Sequence, residues 1–295
     1  MTRATLIGFS AILMWSLLAL MTAASGKMPP FQMNAVCFAI GALPGLLLFA
    51  VKPERMKLLR QPAPVWILGI VGLFGYHFLY FTALRNAPAA DASMIAYLWP
   101  LFIVLGSAML PGEKLKAVHI LGALAGLAGA GLIVSARSTE GASAFSEVQL
   151  MIGYGAALAC AFFWSGYSLI SRKFGSAPTD VVTGFCLATS LLSLVCHLAL
   201  ETTVWPDTAT EWLAIAGLGL LPVGAAFYTW DYGVKKGNIQ ILGVASYSAP
   251  VLSTLVLIVA GFTEPSWRIL LACLLVTGGA LIAVSGSLFS KKQPA

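Results

Sequence analysis

The sequence predicts an all-α polytopic membrane protein: ten transmembrane helices arranged as two five-helix repeats of inverted topology, N-in and C-in. Three observations predict it. Charged residues make up only 9% of the 295 and apolar residues 59%, with a mean hydropathy of +0.90. A soluble domain carries about 25% charged residues, so this chain could not cover a water-facing surface. Ten apolar runs of about 20 residues follow one another, the length that crosses ~30 Å of hydrocarbon. Motifs of the first half recur in the second at an offset near 150. This composition excludes a soluble enzyme, a nucleic-acid-binding domain and a disordered chain.

The runs are justified in chain order. Residues 4–24 follow Arg3 and end at Thr22-Ala23-Ala24, which resembles a signal-peptide cleavage site. The apolar stretch is too long for a typical signal peptide and the repeat needs it, so it is read as a retained span. Residues 31–51 contain Gly41-x-x-x-Gly45, and residues 65–84 contain Gly69, Gly72 and Gly75, small residues that let helices approach closely. Residues 89–110 hold Tyr97-x-Trp99-Pro100, and residues 117–135 hold Gly122-x-x-x-Gly126. The second half offers runs at 149–171, 181–200, 212–234, 239–260 (with Pro250) and 268–288 (with Gly278-Gly279). The small polar stretch between the halves reads as a linker. The expected organisation is therefore a first repeat over 1–135, a linker over 136–148 and a second repeat over 149–295.

Orientation follows from the lysines and arginines. With the N-terminus inside, thirteen lie in inside segments: Arg3, Lys52, Arg55, Lys57, Arg60, Lys114, Lys116, Arg172, Lys173, Lys235, Lys236, Lys291 and Lys292. Four lie outside: Lys27, Arg85, Arg137 and Arg268. The positive-inside rule then sets both termini in the cytoplasm, in a cell inner (plasma) membrane. The net charge of +6 thus reports orientation and not nucleic-acid binding. The five cysteines, Cys37, Cys160, Cys186, Cys196 and Cys273, sit in apolar runs without a C-x-x-C pair and read as small buried hydrophobes.

The internal repeat is carried by many weak matches at nearly one offset. Trp15-Ser16 falls on Trp164-Ser165, Pro29 on Pro178 and Cys37 on Cys186; Tyr97-x-x-Pro100 falls on Tyr247-x-x-Pro250. Five spans per half is an odd number, so the second half inserts upside down. Inverted repeats of this kind are common in secondary transporters, with the substrate site near mid-membrane where the halves meet.

Ala87-Pro88-Ala89-Ala90-Asp91-Ala92-Ser93, then Tyr97-x-Trp99-Pro100 and Pro111-Gly112-Glu113-Lys114, resemble the drug/metabolite transporter superfamily in its two-EamA-domain branch. The resemblance covers nearly the whole chain. The aromatic set also resembles the YddG-type aromatic amino acid exporters. The resemblance implies export of small metabolites from the cytoplasm without ATP, and amino acids as cargo for the YddG type. An exporter of another small metabolite or drug on the same fold is the alternative. Small multidrug-resistance relatives carry a glutamate in the first helix, which this chain lacks.

Candidate site residues are polar aromatics deep in the spans. An aromatic cavity offers an apolar wall with hydroxyl and indole N–H handles, and an ammonium can lie over a ring face. Trp15, His77, Tyr80, Tyr97, Trp99, Trp164, Tyr228 and Tyr247 form the expected substrate-binding set. Tyr76 stands i,i+4 from Tyr80, and the second half also offers Tyr167, Trp230 and Tyr232. Tyr97 and Trp99 lie about 200° apart on an ideal helix, so they share a cavity only if the helix opens or one faces a neighbour. Pro100 and Pro250, matched in the fourth helix of each half, are expected to kink it and free the carbonyls of Ala96 and Ser246. His77 is expected to act neutral; His119 and His197 show no obvious partner. Trp66, Trp205, Trp212 and Trp267 fall at span ends, as interfacial belts do. Asp231 is expected to pair with Lys235, and Asp91 to favour a helix N-terminus.

No P-loop, no H-E-x-x-H, no metal-ligand cluster and no G-x-S-x-G is present, so neither an enzyme nor a cofactor or metal site is expected. The expected partners are small-molecule substrate (amino acids) and the lipid bilayer, with no nucleic acid. The small-residue stripes mostly pack within the chain, leaving a monomer or a weak homodimer through the fifth and tenth helices.

Overall fold

The computed structural model describes residues 2–135, 145–261 and 264–288, and among these it is helical with no strand. In the first half, α1 (Arg3–Trp15) and α2 (Leu18–Ala24) form one rod broken at Ser16 and Leu17, followed by α3 (Pro30–Val51). Next, α4 (Ala63–Ile70) runs through a π turn at Val71–Gly75 into α5 (Tyr76–Asn86). Another broken rod, α6 (Ala89–Ala96) and α7 (Trp99–Gly106), precedes α8 (Ala117–Ser135). The second half contains α9 (Glu147–Lys173) and α10 (Val181–Leu200). It continues with α11 (Ala209–Leu220), a π turn at Leu221–Ala225, α12 (Ala226–Lys236), α13 (Ile239–Ala245), α14 (Ser248–Val259) and α15 (Trp267–Leu288). Most of the expected linker lies outside the described residues.

Eight rods among the described residues are long and apolar enough to cross a membrane; Ala117–Leu132 and Trp267–Ala283 are shorter apolar helices. Their outward faces carry large apolar side chains such as Leu47, Leu121, Leu198, Leu213 and Leu281. Such a surface suits hydrocarbon, not water. Helix starts follow local chemistry. Ser146 with Gln149 and Thr208 with Glu211 close reciprocal capping boxes on α9 and α11. Asn238 caps α13 through the Ile241 N–H.

Four cross-half helix pairs run antiparallel: α1 with α12, α5 with α9, α3 with α10, and α8 with α15. Along α1 and α12, Thr5 meets Asn238, Gly8 meets Gly233 and Trp15 meets Phe227. The equivalent pair, α9 and α5, repeats this: Gly153 packs on the Asn86 backbone and Trp164 on Tyr76. Between α3 and α10, Asn34 donates to Ser193 (2.7 Å) and Gly45 packs on Thr183. Between α8 and α15, Gly122 packs on Gly279 and Gly129 on Ala272 and Val276.

Lipid supplies no hydrophobic force between helices, so shape complementarity and polar contacts hold these pairs. A Cβ on Gly8 would lie 2.9 Å from the Gly233 Cα, and one on Gly122 would lie 2.5 Å from the Gly279 carbonyl. Only glycine permits such approach. Gly122, Gly126, Gly129 and Gly279 are all packed against neighbours inside the chain, so these small residues are used internally.

The fourth rod of each half tightens at a two-residue turn, Tyr97–Leu98 or Ser246–Tyr247, and Pro100 and Pro250 stand just after it, in the first turns of α7 and α14. A first-turn N–H has no intrahelical partner, so proline costs nothing there. The Ser246 carbonyl is not free: it accepts the Ala249 N–H (3.1 Å). The two π turns, at equivalent places in the third rod of each half, were not legible in the sequence.

Candidate functional site

Four tryptophans from both halves meet at the centre. Trp15 ends α1, Trp99 opens α7, Trp164 lies on α9 and Trp230 on α12. All six pairings of their rings have centroids between 5.1 and 6.3 Å, mostly edge-on. Edge-to-face contacts at such distances are the favourable arrangement of aromatic quadrupoles. Trp99, Trp164 and Trp230 are buried, whereas Trp15 is partly buried, with ring partners on three other helices, α7, α9 and α12.

Two of the four indoles are held by specific bonds. The Trp15 indole N–H donates to the Pro222 carbonyl (3.1 Å). That carbonyl is available because the π turn sends the Ala226 N–H to Leu221, one residue further back than an α-helix would. The Trp230 indole donates to Ser168 Oγ (3.0 Å), whose hydroxyl donates to the Trp164 carbonyl (2.9 Å).

Half-exposed polar aromatics continue from this cluster. Tyr76 packs on Trp164 (5.7 Å) and stacks on Tyr80 (6.0 Å, 8°), and Tyr80 hydrogen-bonds with Ser93 (3.2 Å). Tyr97 lies in the turn between α6 and α7, two residues before Trp99. His77 packs edge-on against Phe38 (5.1 Å), with Phe227 beyond (6.2 Å). His77 Nδ1 lies 2.7 Å from the Leu73 carbonyl in the first π turn. A carbonyl only accepts, so Nδ1 carries the hydrogen, and in the neutral ring Nε2 is left as an acceptor.

The structure thus brings Trp15, Trp99, Trp164, His77, Tyr80 and Tyr97 into one region. Two expected members stand apart. Tyr228 hydrogen-bonds with the Gly41 carbonyl (3.3 Å) and Thr183 (3.1 Å), tying α12 to α3 and α10. Tyr247 is wholly buried, and its hydroxyl accepts the Leu101 N–H (3.1 Å), a first-turn donor that the broken rod leaves without a helical partner. Trp230 and Phe227 belong to the cluster but fall outside the expected set. The π turn inserts one extra residue and rotates α12 by about 100°, so an ideal helical wheel misplaces them. Of the tryptophans expected at interfaces, Trp205, Trp212 and Trp267 are exposed, while Trp66 is partly buried against Phe185.

Ion pairs bridge the halves at each end. At the end holding the start of α1, Arg55 makes a bidentate contact with Asp180 (2.8 and 3.0 Å) and Arg172 pairs with Glu113. The Asp180 hydrogen bond and charge push the Arg55 pKa up. Asp231 pairs with Lys235 as expected (2.9 Å), in wholly buried surroundings. At the other end Arg85 meets Glu201 (2.5 Å), which also accepts the Phe31 and Gln32 N–H groups. His197 has partners after all, Glu201 (3.1 Å) and Thr203 (2.9 Å), and His119 Nδ1 accepts the Lys116 N–H (3.3 Å). Asp91 accepts from Tyr154 (3.0 Å). No metal-ligand group of three or more occurs among the described residues.

Residues 2–135 and 151–285 each match the EamA-like transporter family. The chain belongs to this family. Among EamA-like relatives, an aromatic amino acid exporter, YddG, of Ancylobacter novellus is 54% identical, covering 96% of this chain and 97% of its own. A pseudopaline exporter, CntI, of Pseudomonas aeruginosa is 28% identical over 90% of this chain and 88% of its own. A crystal structure at 52% identity superposes with a TM-score of 0.90 and covers 98% of this chain and 99% of that one. The protein is a multi-pass membrane transporter, not an enzyme.

Proposed function

We propose that this chain exports aromatic and bulky neutral amino acids from the cytoplasm by alternating access around the central aromatic cluster. The observation that carries the reading is the four-tryptophan junction, drawn from both halves and continued by half-exposed Tyr76, His77 and Tyr80. The 54% identity to a named aromatic amino acid exporter supports the cargo. In this reading all ten rods cross the inner membrane as two inverted repeats, with both termini cytoplasmic. The antiparallel cross-half pairs and the thirteen inside cations support that topology.

The chemistry suits a zwitterion with an aromatic side chain. A substrate ring adds to the edge-on cluster, worth about 0.5–1.5 kcal/mol per aromatic contact beyond area burial. Its ammonium can donate to His77 Nε2 or lie over a ring face, the latter worth about 2 kcal/mol once water is excluded. Tyrosine hydroxyls and indole N–H groups are the donors suited to its carboxylate. The ion pairs Arg55–Asp180 and Arg172–Glu113 join opposite halves on the proposed cytoplasmic side, so they must part before that side opens. With those pairs formed, we read this structure as closed to the cytoplasm.

A different small metabolite on the same fold is the second reading, supported by the pseudopaline exporter at 28% identity. Counterflow of labelled phenylalanine in proteoliposomes, without an ion gradient, distinguishes the two. Exchange competed by other amino acids is the expected result. No exchange from folded protein rejects the amino-acid cargo and leaves the family intact.

A further inference from the structure

Directly behind the tryptophan cluster lies a group of polar side chains that the transport reading does not use. The Asp231 carboxylate, wholly buried, accepts three hydrogen bonds. Tyr167 donates to Oδ1 (3.2 Å), while Thr179 (2.8 Å) and Lys235 (2.9 Å) donate to Oδ2. The Lys235 ammonium also donates to the Ala177 carbonyl (3.2 Å). Every polar atom here has a purpose beyond solvation, since a buried carboxylate is tolerated only when its lone pairs and charge are met.

Two of these partners belong to the site and two to a loop. Tyr167 stacks on Trp164 (5.3 Å, 29°), and Asp231 directly follows Trp230. Thr179 and Ala177 belong to the segment that joins α9 to α10, which also carries Asp180 and its contact to Arg55 of the other half. One carboxylate therefore ties the aromatic floor to the loop that bridges the halves. A solvent-reachable hollow of about 360 Å³ lies between this loop and α12, lined by Ser176, Tyr232 and Lys236, so the loop has room to move. The hollow itself is no ligand site, because Lys235, Lys236 and Asp180 are already engaged.

We infer that Asp231 is a positioning residue: it latches the 174–180 loop to the back of the Trp164–Trp230 floor, so that the floor and the loop are released together. The assignment rests on the transport reading above for its purpose, but the latch is testable without any cargo. A cysteine at Ala177, a loop position buried in this structure, is labelled with a membrane-impermeant thiol reagent from the proposed cytoplasmic face. The rate is taken above that of the chain without the added cysteine.

Asp231→Asn, Tyr167→Phe and Thr179→Val should each raise that rate about fivefold or more, since each removes a charge-assisted bond whose loss shifts an equilibrium by about tenfold. If Asp231→Asn fails to fold, Tyr167→Phe and Thr179→Val, which each remove one oxygen, carry the test. Labelling within twofold of the parent in these folded variants overturns the latch. A second arm reads the coupling. In a parent that exchanges phenylalanine, saturating phenylalanine should change the labelling rate about threefold or more, a ratio that collapses toward one in Tyr167→Phe. An unchanged ratio in that variant overturns the link between floor and loop. A parent that shows no exchange but whose variants are labelled faster rejects the cargo and keeps the latch.

Discussion

Tyr97 and Tyr247 occupy the same place in the two repeats, yet the structure predicts opposite consequences for removing their hydroxyls. Tyr247→Phe deletes the only acceptor that the structure gives to the Leu101 N–H, in a pocket where Tyr247 itself is wholly buried. Leaving a buried donor unmet costs about 1–3 kcal/mol, more than the net worth of an ordinary hydrogen bond. The packing of the ring on Gly126 is unchanged by the substitution, so no cavity term adds to this. The expected result is a clear drop in melting temperature in detergent, with a counterflow KM for phenylalanine within twofold of the parent. Tyr97→Phe removes a hydroxyl from a half-buried ring two residues before Trp99. That variant should raise the KM by about fivefold, the equivalent of one hydrogen bond. A Tyr247→Phe protein with unchanged stability and a raised KM would refute the reasoning, since Tyr247 would then face the substrate.

Other substitutions test the remaining assignments. His77→Ala should lower phenylalanine exchange about tenfold or more without loss of folded protein, and His77→Gln should recover part of it by restoring an acceptor; normal exchange in both removes His77 from the site. Trp15→Phe keeps a ring but loses the bond to Pro222, and it should cost about fivefold in exchange; an unchanged rate shows that the bond does not position the ring. Gly122→Leu should abolish the folded species in size-exclusion chromatography, because the added Cβ alone would lie 2.5 Å from a backbone oxygen; a well-folded monomer would instead mark Gly122 as a surface contact. Asp180→Asn removes the charge that faces Arg55 and should change the exchange rate while leaving outward-side affinity within about threefold; an altered affinity with an unchanged rate counts against a gate.

The membrane class, the rods and the pairing of Asp231 with Lys235 were legible because each rests on local information: composition, run length and i,i+4 spacing. The repeat was legible because weak matches such as Trp15 with Trp164 share nearly one offset along the chain. Trp230 was not, because a π turn carries no sequence mark and shifts the helix face by about 100°. The surroundings of Tyr247 were hidden for a related reason. Its motif matches that of Tyr97, but only packing against α7 and α8 decides that its hydroxyl meets a backbone N–H.

The sequence by itself therefore determined which segments are apolar enough to suit a membrane, which residues repeat, and that polar aromatics would gather where the halves meet. Tertiary structure alone decided which aromatics meet, which hydroxyls are already engaged, and that a buried carboxylate stands between the aromatic floor and the Ala177–Asp180 loop. The division follows from range. Hydropathy and helix spacing act within a few residues, whereas the Trp15–Pro222 and Tyr167–Asp231 bonds join positions that only the crossing of the two halves brings together.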